Sequence, residues 1–166
     1  MEIIGYILLG TAGIYGISYL LNWLSYKIIK QRILNRKKWD LNICCGKTDG
    51  GGINADIIEH SRVNNFVMIN DIYDLPFEDN QFDNVLCSHT IEHVNDPLSF
   101  HRELRRVGEN ITYLLPPIWD ISAALNFLEH KWLFLTFRSK HKNLPKYVRL
   151  PFTDLIHEEF GQKIDA

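Results

Sequence analysis

Residues 82–107, FDNVLCSHTIEHVNDPLSFHRELRRV, decide the fold because they predict a β-strand followed by an α-helix. The apolar run 82–89 has the length of a buried strand. Asp96 is a typical helix N-cap, and Pro97 suits the first helical position. Apolar residues then recur on one face of the helix: Phe100, Leu104 and Val107. The stretch therefore predicts part of a parallel β-α-β unit.

Three further apolar runs, each closed by polar, glycine or proline residues, also predict strands. They cover residues 39–45, 64–71 and 110–117. Strands that alternate with helices are typical of a mostly parallel sheet with helices on both faces. The first connection is too short for a crossover helix, because only nine residues separate Gly46 from Asp56. After Pro117 an aromatic-rich helix is expected over 118–137 and no further strand, so the sheet is predicted to be truncated.

The amino-terminal part of the chain gives a different signal. Residues 3–26 form a run of 24 residues without a charge, and hydrophobic side chains cover every face of the helix that they would form. About 20 mainly apolar residues are enough to cross a bilayer. The segment that follows contains six basic residues and no acid: Lys27, Lys30, Arg32, Arg36, Lys37 and Lys38.

Because basic residues stay on the cytoplasmic side of a membrane, these features predict a single-pass protein with its amino terminus outside. The predicted parts are a transmembrane helix over 3–26, a basic juxtamembrane linker over 27–38 and a cytoplasmic domain over 39–166. The basic linker would favour anionic lipid headgroups as partners.

The composition excludes some classes of function. When the six linker cations are set aside, 12 basic residues remain against 20 acidic ones, which argues against nucleic acid as a partner. The three cysteines, Cys44, Cys45 and Cys87, form neither a C-x-x-C pair nor a disulfide framework. Free thiols of this kind fit a reducing cytosol.

The letters His89, Glu92 and His93 also spell H-x-x-E-H, the inverted zinc-protease motif. That motif requires a continuous helix, so that both imidazoles share a face. Here a strand-like run precedes the motif, and Pro97 restarts the chain directly after it. A third ligand would have to be Glu103 or Glu129, and no spacing recommends either. The sequence therefore predicts no metal site and a structural role for His93.

The ends of the predicted strands carry the residues most suited to binding a small molecule. In open α/β sheets, ligands bind beyond the carboxyl ends of the strands. A carboxylate there can accept both hydroxyls of a ribose, a second acid can accept an adenine amine, and a glycine allows close approach of the backbone. The pattern favours a nucleoside over a dinucleotide, because there is no G-x-G-x-x-G, and the P-loop motif is absent from the sequence.

Two stretches resemble class I S-adenosylmethionine-dependent methyltransferases, in the branch called methyltransferase type 11. The first, LNICCGKTDGGGINADI (41–57), is similar to that branch's glycine-rich turn followed by an N-x-D-I acid. The second, residues 70–107, is similar to a series that the branch shares: an acid, L-P-F, D-N-x-F-D, S-H-x-x-E-H and R-E-L-x-R-V. The resemblance covers roughly residues 39–117, and the second stretch is specific because several independent elements occur in order.

The resemblance implies a Rossmann-like sheet of order 3-2-1-4-5, shortened at its carboxyl end, and S-adenosyl-L-methionine as the cofactor. It places four residues on parts of that cofactor: Gly46 on the methionine part, Asp56 on the ribose, and Asp71 with Ile72 on the adenine. Ser88 and His89 would line the methyl-transfer face, and Ser88 would also bind the cofactor. His89 is the candidate base, with Glu92 or His93 as substitutes.

The implied function is methyl transfer to a small or lipid-linked acceptor at the cytoplasmic face of the membrane. The alternative is a catalytically inactive methyltransferase-like domain that is tethered to the membrane as a binding module. The family usually has glycine where Cys44 stands, and its final strand pair is not evident in this sequence. Both departures favour the alternative.

Overall fold

A mostly parallel sheet forms the centre of the molecule. The computed structural model describes the backbone of residues 2–36 and 38–160, and the side chains of these except 2–5, 7, 8 and 157–160. Lys37 of the predicted linker and residues 161–166 of the predicted domain lie outside the described residues. The sheet strands are β1 (Trp39–Ile43), β2 (Gly51–Asp56), β3 (Phe66–Met68), β4 (Phe82–Ser88), β5 (Gly108–Leu114) and β7 (Lys140–His141).

The strand order is β3-β2-β1-β4-β5-β7. All neighbours from β3 to β5 pair in parallel, and β7 pairs antiparallel with β5. The first five positions agree with the predicted order 3-2-1-4-5. The carboxyl ends of β1, β2 and β4 therefore meet at one edge, as the ligand-binding argument requires.

Helix α3 (Pro97–Val107) covers one face of the sheet. The Asp96 side chain caps it by accepting hydrogen bonds from two backbone amides of the first turn. Phe100 and Leu104 are completely buried in the main core cluster, together with Val85 and Ile111 of the sheet. Burial of each such side chain contributes about 1.5–3 kcal/mol, so packing as well as the cap fixes this helix.

The opposite face is covered by the continuation of the amino-terminal helix. Helix α1 (Glu2–Trp23) runs on into a π-helical stretch (Leu24–Lys30) and the short helix α2 (Gln31–Leu34). Ile33 and Leu34 pack against Leu86 of β4 and Leu114 of β5. Helices therefore lie on both faces of the sheet, but one of the two layers comes from the amino terminus.

The predicted transmembrane helix over 3–26 is wrong. Among the described residues, no helix is both long enough and apolar enough to cross a bilayer. The end of the apolar run contacts the rest of the protein instead: Asn22 donates to the carboxylate of Asp120 over 3.3 Å, and Ser25 is buried. The single-pass topology, the cytoplasmic placement of the domain relative to a membrane and the lipid partner all rested on that helix. These three predictions lose their basis together with the transmembrane helix.

The connection between β1 and β2 is a loop, as its length predicted. Asn54 fixes this loop: its Oδ1 accepts from the Gly50 amide over 2.9 Å and from the Asn42 side chain over 3.0 Å. A side chain at Gly52 would lie 2.6 Å from the carbonyl oxygen of Trp39, so only glycine allows this approach of β2 to β1. Hydrogen bonds of Asn54 thus fix the connection between these two parallel strands, which contains no crossover helix.

The helix predicted over 118–137 is also wrong. That region contains only the short helix α4 (Ile121–Ala124) and strand β6 (Trp132–Phe134), and β6 pairs antiparallel with β8 (Tyr147–Arg149). The Tyr147 ring contacts Trp132 edge to face and Phe134 at a tilt, each at 5.3 Å between ring centroids. The aromatic residues alternate with period two and pack across strands, which is a strand pattern rather than a helical one. Helix α5 (Thr153–Phe160) follows.

Candidate functional site

A cavity of about 280 Å³ opens at the carboxyl ends of β1, β2 and β4. Gly46 after β1, Asp56 at the end of β2 and His89 after β4 all line it. Its volume is close to the lower end of the usual range for small-molecule pockets, about 300 Å³. The structure therefore brings three of the predicted site residues to one cavity.

The Asp56 carboxylate organises the backbone of this edge. It is 5% exposed; its Oδ2 accepts from the Gly46 amide and its Oδ1 from the Ile57 amide, both over 2.8 Å. The acid thus ties the turn after β1 to the end of β2. A carboxylate offers about four lone-pair positions, so two remain for a ligand.

Three residues at this edge have left-handed backbone conformations. Their φ angles are +49° at Cys44, +56° at Gly46 and +54° at His89. For a residue with a β-carbon this conformation costs about 1–2 kcal/mol, and such strain is concentrated at functional sites. A β-carbon added at Gly46 would meet no atom within 4 Å, so the space above its backbone is open. That open space, with the Asp56 carboxylate beside it, fits the ribose and methionine parts of the implied cofactor.

The other predicted cofactor residues lie elsewhere. Asp71 is exposed, and its Oδ1 accepts from the Tyr73 amide over 2.7 Å in a local turn. Ile72 is completely buried in the core, and Ser88 is partly buried with an Oγ that has no hydrogen-bond partner among the described residues. None of Asp71, Ile72 and Ser88 belongs to the cavity lining that the described residues form.

A second cavity, of about 500 Å³, lies between α1 and the same edge of the sheet. Tyr26 and Asn22 line one side of it, and His89, His93 and His130 line the other. His89 and His93 belong to the linings of both cavities, so the two cavities meet at these imidazoles. The ring of Tyr26 lies 5.4 Å from that of His89, between centroids.

Glu92 is the unusual group at this edge, because it is completely buried. His89 Nδ1 approaches its Oε1 to 3.3 Å, but neither carboxylate oxygen has a hydrogen-bond partner of acceptable geometry among the described residues. Burial alone would raise the pKa of Glu92. The imidazoles of His89, His93 and His130 outweigh that effect and lower the pKa to about 2, so the side chain is an anion at neutral pH.

The structure also brings together residues that the sequence did not connect. Glu92, His93 and His130 each offer a ligand atom, and these atoms lie within 4.8 Å of one another. The sequence suggested Glu103 or Glu129 as a third ligand, with no spacing to recommend either. Glu103 instead accepts hydrogen bonds from the Leu75 amide and from Arg106. No sequence signal indicated His130, because it lies in a segment whose predicted helix does not form.

The thiols near the site are not reactive nucleophiles. Cys44 lines the first cavity, and burial raises the pKa of its thiol well above the usual value. Burial likewise raises the pKa of Cys45 to about 11, and it raises the pKa of Cys87 strongly. All three thiols are therefore protonated at neutral pH.

Comparison with known proteins identifies the fold. A family model described as a methyltransferase domain matches residues 53–114, from β2 to β5, and no curated protein matches the chain significantly. A solved S-adenosylmethionine-dependent methyltransferase from Thermotoga maritima, described as a possible histamine N-methyltransferase, is 14% identical with a TM-score of 0.52. The alignment covers 92% of this chain and 79% of that one. The chain therefore has the fold of S-adenosylmethionine-dependent methyltransferases.

Two further structures are similar over less of the chain. A putative methyltransferase from Haloferax volcanii, solved with a methyltransferase activator, is 18% identical with a TM-score of 0.41, over 55% of this chain and 51% of that one. The YcgJ protein from Bacillus subtilis is 18% identical with a TM-score of 0.40, over 52% and 50%. This chain thus spans about half the length of either protein.

Proposed function

We propose that this protein binds S-adenosylmethionine in the cavity lined by Gly46 and Asp56 and transfers the methyl group to a small acceptor. The observation that carries the proposal is that Gly46, Asp56 and His89 meet at one cavity on the carboxyl edge of a methyltransferase fold. Each comes from a different strand end, so their convergence is a property of the fold and not of local sequence.

The cofactor would supply an electrophilic methyl group on a positively charged sulfur. The protein's task is then mainly to position the donor and the acceptor. Asp56 is suited to hold the ribose, because its contacts with the Gly46 and Ile57 amides fix its orientation and leave lone pairs for two hydroxyls. The open space above Gly46 would accept the methionine part.

His89 would act on the acceptor. It lies where the two cavities meet, and we assign the acceptor to the larger cavity beside Tyr26. An imidazole at that junction can take the proton that an acceptor amine or hydroxyl loses. The buried carboxylate of Glu92, 3.3 Å from His89 Nδ1, would hold the ring in place.

Asp71, Ile72 and Ser88 complete the proposed cofactor site. Asp71 is exposed and can accept from the adenine amine. Ile72 is fully buried, so contact with the adenine ring requires the loop after β3 to rearrange on binding. The Ser88 hydroxyl has no partner among the described residues and can donate to the ligand.

Calorimetric titration with S-adenosylmethionine and S-adenosylhomocysteine tests the proposal, with Gly46→Asn as the decisive variant. Asparagine tolerates the left-handed conformation, so the variant keeps the backbone and places a side chain in the cavity. We expect a Kd raised by about 10- to 100-fold, because overpacking costs about 1–3 kcal/mol. Lys47→Asn, at an exposed neighbour outside the lining, is the control and should bind normally. Absence of heat from either ligand at millimolar concentration would exclude the function.

A second candidate function is binding of a nucleoside without catalysis. The Cys44 side chain in the cavity lining and the position of Asp71 outside it favour this alternative. A methyltransferase site should bind S-adenosylmethionine much more tightly than adenosine, since it also contacts the methionine part. Equal affinities for the two ligands would support the binding module.

A further inference from the structure

The loop after β4 and the segment before β6 place three metal-ligating side chains around one point. These are Glu92, His93 and His130, whose candidate ligand atoms lie within 4.8 Å of one another. We infer that they form a binding site for a divalent transition-metal ion of the zinc class, at the junction of the two cavities. This inference concerns metal binding alone, and it does not depend on the proposed methyl transfer.

Glu92 is in a position that suits a bound cation. Its side chain is completely buried, and neither oxygen has a hydrogen-bond partner among the described residues. His89 Nδ1 lies 3.3 Å from Oε1, but this contact does not have the geometry of a hydrogen bond. Buried carboxylates in proteins are normally hydrogen-bonded, paired or bound to metals. A bound cation would compensate this carboxylate directly.

The two imidazoles of the cluster each keep a ring nitrogen available for a metal ion. His93 Nδ1 lies 2.8 Å from the carbonyl oxygen of Glu129, so Nδ1 donates and Nε2 keeps its lone pair for a metal. A backbone carbonyl on the far nitrogen is a typical partner of a metal-binding histidine. His130 is 5% exposed, and its Nδ1 has no hydrogen-bond partner among the described residues. The rings of His93 and His130 are in edge-to-face contact, with centroids 4.7 Å apart and an interplanar angle of 88°.

Hydrogen bonds already hold together the two segments that carry these side chains. The carbonyl oxygen of Glu92 accepts from the Lys131 amide over 2.8 Å and from the Trp132 amide over 3.1 Å. The Trp132 indole donates to the carbonyl of Val94 over 2.8 Å. The ligand residues on both segments are thus fixed relative to each other before any ion binds.

The donor set indicates the type of metal. Two imidazoles and one carboxylate are a zinc-type ligand set, and three protein ligands leave one coordination position open. Tetrahedral ligands at about 2.1 Å from a zinc ion lie about 3.4 Å apart, so modest side-chain rotation would close the 4.8 Å spread. Because His93 lines both cavities, the open position would face them.

Titration of the metal-free full-length chain with Zn²⁺, followed by calorimetry and elemental analysis, tests the inference. We expect one ion per chain, and an affinity reduced by about 100-fold or more in Glu92→Gln and in His93→Gln, since each removes a direct ligand. The matched control is His60→Gln, an exposed histidine that lines the first cavity outside the cluster, and it should bind like the wild type.

A stability readout keeps the test independent of how well each variant folds. Zn²⁺ should raise the Tm of the wild type and of His60→Gln by mass action, and it should not shift the Tm of Glu92→Gln. If Glu92→Gln does not fold, the comparison of His93→Gln with His60→Gln carries the same test. No ion bound by the wild type, or equal affinities in wild type and Glu92→Gln, would overturn the inference.

Discussion

Two buried acids lie at the carboxyl edge of the same sheet, one at the end of β2 and one after β4, and their surroundings are opposite. Asp56, at the end of β2, accepts one backbone hydrogen bond on each oxygen. Glu92, in the loop after β4, has no hydrogen-bond partner among the described residues, and His89 Nδ1 lies 3.3 Å from its Oε1. Both side chains are almost or completely inaccessible to water.

The difference indicates two kinds of site on one edge. A carboxylate that is held by backbone amides organises the protein and offers its remaining lone pairs to a neutral ligand such as a sugar. A carboxylate without hydrogen bonds, among imidazoles, is suited to a cation. We therefore expect the end of β2 to bind the cofactor and the end of β4 to bind a metal ion.

The largest effect is expected from Asp56→Ala. The substitution leaves the Gly46 and Ile57 amides without their acceptor, which should lower the free energy of unfolding by about 3 kcal/mol. It should also abolish detectable binding of S-adenosylhomocysteine. Urea denaturation and calorimetry measure the two effects. Asp56→Asn keeps one acceptor oxygen and should lose less stability; unchanged cofactor binding in Asp56→Ala would refute the assignment.

Arg106 is a well-paired charged residue that lies away from the carboxyl edge of the sheet. Its substitution should change the stability of the fold and leave ligand binding unchanged. The Arg106 guanidinium donates to the carbonyls of Leu75 and Phe77 and to the side chains of Glu103 and Asp79. Lysine cannot make these contacts together, so Arg106→Lys should lower the free energy of unfolding by about 1–2 kcal/mol.

The same variant should bind S-adenosylhomocysteine and Zn²⁺ like the wild type. Urea denaturation with both titrations checks this prediction. A loss of ligand affinity equal to that of Gly46→Asn would show that stability, not the edge itself, controls binding.

The smallest expected effect is a pH dependence of stability that arises from His101, a histidine outside the site. The His101 ring is partly buried and lies 2.6 Å from the Tyr113 hydroxyl; burial and the charge of Arg105 lower its pKa. Folding therefore disfavours its protonation, and the unfolded chain binds more protons below the usual histidine pKa of about 6.5. Stability should fall as the pH decreases through that value.

His101→Gln should reduce this pH dependence, because glutamine does not titrate. Urea midpoints of wild type and variant at neutral and mildly acidic pH provide the measurement. Equal slopes in the two proteins would contradict the prediction.

The parallel sheet could be predicted because its signals are local. The apolar run 82–89 and the cap at Asp96 specify a strand and a helix without reference to the rest of the chain. The apolar run 3–26 was wrongly predicted to cross a membrane. An uncharged run does not by itself reveal whether its side chains contact lipid or protein. Its continuation through Ile33 and Leu34 covers one face of the sheet.

The candidate site could be predicted only in part, for a related reason. Gly46, Asp56 and His89 follow strands, and the ends of parallel strands meet at one edge. His130 belongs to no sequence motif. Its segment joins the site through backbone hydrogen bonds to Glu92, which form only in the folded chain. Asp71 lies beyond β3, where a turn to Tyr73 leaves its side chain exposed.

A single cross-titration can show whether the two strand ends bind two different ligands. S-adenosylhomocysteine and Zn²⁺ are each titrated into wild type, Gly46→Asn and Glu92→Gln. The prediction is that Gly46→Asn loses cofactor affinity and keeps metal affinity, whereas Glu92→Gln shows the reverse. Loss of both ligands in either folded variant, or of neither ligand in both variants, would contradict it.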